Sequence, residues 1–105
     1  MDSLFRLEQT ILARREADPD SSYVARLRAK GLGKMTQKFG EEAVETVIAA
    51  LSEDKGALTG EAADLMFHLL VLLAERGVTL GDVCAELDRR EGVSGLDEKA
   101  SRTKE

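Results

Sequence analysis

The chain is 105 residues long, which leaves room for one domain and no second. With 43% hydrophobic residues it can bury a true core, and with one Cys and one His it offers neither a disulfide framework nor a Cys/His zinc site. Nine Gly, one Pro and 4% aromatics in a Leu-, Ala-, Glu- and Arg-rich chain favour helix over strand. The fold class expected is therefore all-α. The net charge of −5 hides a division: between Ser21 and Gly40 stand five cations (Arg26, Arg28, Lys30, Lys34, Lys38) and no acid. The acidic remainder and the lack of aromatics among these cations argue against nucleic acid as a partner and favour a small polyanion. The longest apolar run, Leu65 to Ala74, is about half of a membrane span and is interrupted by His68. With no charged-then-apolar leader at the start, the expected location is cytoplasmic.

Apolar spacing predicts a first helix over about Ser3 to Ala17, through Leu4, Leu7, Ile11 and Leu12, ended by Asp18-Pro19-Asp20. Ser21 or Ser22 caps a second, reaching about Lys30, and Gly31-Leu32-Gly33 reads as a flexible break. A third spans about Lys34 to Leu51, and a fourth about Ala57 to Arg76, stopped by Gly77. Thr79 with Asp82 resembles a capping box opening a fifth helix to about Arg90. Residues 1–91 thus read as one compact bundle of about five helices, and 92–105 as a polar, disordered tail. The fourth helix is apolar in every direction from Leu65 to Ala74, so it must be enclosed all round. So short a chain struggles to do that alone, and a homodimer centred on this helix is expected.

Glu42 and Glu45 lie on one face of the third helix, and Glu61 and Asp64 on one face of the fourth. Folding the two as an antiparallel hairpin about Glu53 sets Glu45 opposite Glu61 and Glu42 opposite Asp64. All four carboxylates then share one level, roughly 12 Å from the turn at 1.5 Å per residue. Such a group repels itself unless it is exposed, partly protonated or neutralised, and Asp64 precedes an apolar run, which argues against full exposure. Oxygen-only donors select a hard cation, Mg²⁺ first with Mn²⁺ as substitute. A di-iron site needs Glu-x-x-His on two helices, and the residue three before His68 is Leu65. His68 reads as a core residue in the first instance. Lys34 and Lys38 share a stripe with Glu42 and Glu45, where they can hold phosphate oxygens.

The run Lys38-Phe39-Gly40-Glu41-Glu42-Ala43-Val44-Glu45, followed after fifteen residues by Glu61-Ala62-Ala63-Asp64, resembles the EExxE…ExxD signature of the all-α nucleoside triphosphate pyrophosphohydrolases. Ser22-Tyr23, Asp64 to Leu73 and Gly77 to Val83 narrow the resemblance to the phosphoribosyl-ATP pyrophosphohydrolase family. That resemblance implies Mg²⁺-dependent hydrolysis of phosphoribosyl-ATP to phosphoribosyl-AMP and pyrophosphate, the second step of histidine biosynthesis. It implies Glu42, Glu45, Glu61 and Asp64 as metal ligands, Glu41 as a supporting carboxylate and Lys34 with Lys38 as phosphate contacts. Glu41 or Glu45 would be the general base, and cations of the 26–38 block, Arg26 and Lys30 among them, would stabilise departing pyrophosphate. Two other readings stay open: the same chemistry on another nucleoside triphosphate, and a non-catalytic helical dimerisation module.

Overall fold

The computed structural model describes residues 2–102, and the described residues form six helices and no strand. They are α1 (Asp2–Arg14), α2 (Tyr23–Lys30), α3 (Leu32–Ser52), α4 (Lys55–Glu75), α5 (Leu80–Arg90) and α6 (Gly95–Ser101). The all-α class expected from composition is what the chain adopts.

The helix ends follow local chemistry. Ser22 caps α2 by accepting from the Ala25 N–H at 3.2 Å, and Asp54 caps α4 by accepting from the Ala57 N–H at 2.9 Å. Thr79 and Asp82 form the expected reciprocal capping box at the start of α5. The break between α2 and α3 is shorter than expected. Gly31 alone makes it, at φ 98°, and Leu32 and Gly33 already belong to α3. So abrupt a corner sets α2 directly against α3.

Ile11, Val24, Leu27, Met35, Leu70 and Val71 form the core, drawn from α1 to α4. The α3–α4 hairpin is the spine, closed where Ala49 is fully buried. A buried acid locks the other end: Glu8 Oε2 accepts from the Leu80 N–H at 2.7 Å, tying α1 to the first turn of α5.

One expectation needs correction. The segment after Glu91 is not a shapeless tail: Ser94 caps α6 by accepting from the Asp97 N–H, and Glu98 is buried against Arg89 of α5 at 2.9 Å. Residues 103–105 of that expected tail lie outside the described residues. As expected of so short a chain, the described residues leave α4 partly open. Only His68, Leu70 and Val71 are buried, while Met66 is 44% exposed and its other large apolar residues are half-buried.

Candidate functional site

The hairpin brings Glu42 and Glu45 of α3 against Glu61 of α4. Single oxygens of Glu42, Glu45 and Glu61 all lie within 4.8 Å of one another. Thr46 supports the hairpin register: its one hydroxyl proton is shared between the Glu42 carbonyl at 2.8 Å and, as a second and weaker bond, the Glu61 carbonyl at 3.3 Å. The second bond ties α3 to α4 at the height of the acids.

Asp64, one turn further along α4, stands outside the tight trio and is exposed. The adjacent apolar run buries other faces of α4, not this one. Its charge still reaches the group. Burial pushes the Glu61 carboxyl above its ordinary value, and the charges of Glu45, Asp64 and Glu42 push it the same way.

Among the described residues, none of the four acids is in an ion pair, in a chain that forms several elsewhere. Glu42 Oε1 and Glu61 Oε1 are moreover buried with no hydrogen-bond partner. Buried carboxylate oxygens are satisfied in nearly all stable folds, and orphaning two in one cluster is costly. Their donor set is all oxygen and strongly anionic. It fits a hard divalent cation and does not fit a soft metal.

The cations sit around this centre, not in it. Lys38 and Lys34 are half-buried on the turns of α3 before Glu42. Lys38 Nζ is 3.6 Å from Glu41, and Lys34 Nζ donates to Gln37 Oε1 at 3.2 Å. Glu41 faces the lysine side and is absent from the trio. It accepts from Gln37 Nε2 at 2.9 Å, and this bond, helped by Lys38 and Lys34, holds its carboxyl below the usual value. Arg26 and Lys30 are exposed on α2, with Arg26 Nε donating to the Pro19 carbonyl, so neither contacts the acids.

His68 is buried as expected of a core histidine, but its bonds point at the site. Its Nδ1 lies 2.9 Å from the Asp64 carbonyl and its Nε2 3.0 Å from the Tyr23 hydroxyl. Sequence reasoning missed Tyr23 as a neighbour of the acids. The i, i+4 spacing of Asp64 and His68 is the only local signal, and the third member comes from another helix.

Comparison with known proteins finds relatives over nearly the whole chain. The family model described as phosphoribosyl-ATP pyrophosphohydrolase matches residues 4–91. The phosphoribosyl-ATP pyrophosphatase of Erythrobacter litoralis is 72% identical over 102 residues, covering 97% of this chain and 98% of the relative. The protein of that name from Rhizorhabdus wittichii is 68% identical, covering 97% and 96% respectively. That from Dinoroseobacter shibae is 61% identical, covering 97% of this chain and all of its own.

Proposed function

The chain belongs to the phosphoribosyl-ATP pyrophosphohydrolase family, and from that premise we propose that it hydrolyses phosphoribosyl-ATP to phosphoribosyl-AMP and pyrophosphate at the α3–α4 carboxylate cluster. This is the second step of histidine biosynthesis. One observation carries the siting: two buried, partnerless carboxylate oxygens within a group of acids that no cation among the described residues neutralises.

Glu42, Glu45, Glu61 and Asp64 would hold Mg²⁺, with Mn²⁺ as substitute. When bound, the ion supplies the positive charge and Lewis acidity that let a polyphosphate approach four acids. The chain's own residues do the rest. Lys38 and Lys34 bind phosphate oxygens beside the acids, exchanging Glu41 and Gln37 for the substrate. Arg26 and Lys30 supply a wider positive field that draws the substrate in and favours departure of pyrophosphate. Glu45 is the exposed member of the trio and the better placed to take a proton from the attacking water. Glu41, held as an anion by Gln37 and Lys38, is less basic and sets the lysine geometry.

The working unit in this reading is a soluble, cytoplasmic homodimer. Val44, Val47 and Leu51 repeat at seam spacing on the outer face of α3, between 57% and 84% exposed. Met66, Leu69, Leu73 and Leu87 line an apolar groove of about 220 Å³ beside α4. A second copy covers both. Although α4 is long and apolar enough to cross a membrane, it carries Glu61, Asp64 and His68 and packs on α3, as a core helix does.

The test is pyrophosphate release from phosphoribosyl-ATP with Mg²⁺ and with chelator. Release that needs Mg²⁺ and disappears in Glu42→Gln supports the reading. Release that is indifferent to both, or absent from the wild type, ends it.

A further inference from the structure

Tyr23 opens α2 with 44% of its surface exposed, although its ring is stacked on Phe67, with centroids 6.0 Å apart and planes 25° from parallel. The ring is not free to swing. A carbonyl can only accept, so His68 Nδ1 carries the proton donated to Asp64, and Nε2 is left to accept from the Tyr23 hydroxyl. The imidazole then meets both aromatic rings edge-on, at 85°. A tyrosine pinned by its hydroxyl and backed by a phenyl ring, yet left half open, offers a fixed aromatic face to solvent.

Its position matters as much as its rigidity. Two hydrogen bonds separate Tyr23 from the backbone of Asp64. By helical register alone, Lys38 of α3 falls at the height of His68 on α4. Arg26 and Lys30 follow Tyr23 on one stripe of α2, at i+3 and i+7. Anionic oxygens held by Lys38 and the acids therefore leave the rest of a nucleotide beside Tyr23. We infer that Tyr23, backed by Phe67, is the stacking platform for the purine base of the nucleotide substrate. This rests on the function proposed above and adds the half of the site that recognises the base.

Stacking of a base on an aromatic side chain tolerates Phe in place of Tyr but not an aliphatic residue. Tyr23→Leu therefore raises KM for phosphoribosyl-ATP about tenfold, more than it lowers kcat, and Tyr23→Phe restores most of the loss. Phe67→Leu raises KM by less, since it removes only the backing ring. Circular dichroism checks that each variant is folded. Tyr23 is the sole Tyr in a chain without Trp, so saturating phosphoribosyl-ATP should also quench the intrinsic emission of the wild-type protein. A KM for Tyr23→Leu equal to that of the wild type, or a Tyr23→Phe as impaired as Tyr23→Leu, overturns the platform. The second result would make the hydroxyl, not the ring, the important group. Wild-type pyrophosphate release in the same assay keeps the outcomes apart: activity with an unmoved KM sinks the platform alone, and no activity sinks the functional reading beneath it.

Discussion

Two of the charged clusters among the described residues are built in opposite ways. Where α5 meets α6, every clustered carboxylate has its guanidinium. Glu86 accepts from Arg89 at 2.8 Å and from Arg90 at 2.9 Å, and buried Glu98 lies 2.9 Å from Arg89 and 3.6 Å from Arg102. Arg89 above all, then Arg90, holds the Glu86 carboxyl down at about 2. At the α3–α4 hairpin the acids have only one another, and Glu61 is pushed the other way. Paired charge closes a structure. Unpaired charge of one sign strains it.

The largest effect should separate the two clusters by function. Glu61→Gln and Asp64→Asn each lower pyrophosphate release on the order of a hundredfold or more, the scale of losing several kcal/mol of charge stabilisation in the transition state. Glu86→Gln leaves turnover unaltered. Comparable losses from all three would erase the distinction.

Next comes metal-linked stability. At a hundredfold excess over its Kd, Mg²⁺ adds about 2.7 kcal/mol to the folded state, on the order of 10 °C in Tm for a domain of this size. Glu42→Gln should abolish that rise in a thermal melt, and Glu86→Gln should keep it.

A smaller loss is expected between the two regions. Tyr23→Phe leaves the buried Nε2 of His68 without its donor, which costs about 1–3 kcal/mol in chemical denaturation. A variant as stable as the wild type would mean that water replaces the hydroxyl.

The smallest effect is the dependence of stability on pH in chelator. Glu86, whose folded value lies below its ordinary 4.5, adds stability above pH 4.5 that is lost as pH falls towards about 2. Glu61, raised by its neighbours, adds stability below 4.5 that is lost as pH rises through its folded value. Melting curves of Glu86→Gln and Glu61→Gln should therefore depart from the wild type with opposite slopes. Slopes of one sign would contradict the pairing seen here.

The hairpin and its four acids are legible in the sequence because both are local. Helical spacing sets the pairs, the short turn at Glu53 and Asp54 sets the register, and Thr46 supports what the turn begins. The exposure of Asp64 is not legible, because which side of an apolar helix stays open depends on where α1 and α2 pack. Glu41 beside Glu42 looks equivalent in sequence. One residue turns it by 100° on a helix, towards Gln37 and Lys38 and away from the trio. The sixth helix is hidden for a related reason. Gly92, Ser94 and Gly95 resemble a frayed end, while the buried seat of Glu98 is furnished mainly by Arg89 on α5, with its neighbour Arg102 further off. The Tyr23–His68–Asp64 chain spans two helices and exists only after packing.

The most direct measurement of the central claim is Mn²⁺ binding followed by electron paramagnetic resonance of the free ion, on chelator-treated wild type and Glu61→Gln. Mn²⁺ taken up by the wild type and left free by Glu61→Gln is the result predicted. Equal uptake by both, or uptake by neither, would contradict the assignment of these acids as a cation site.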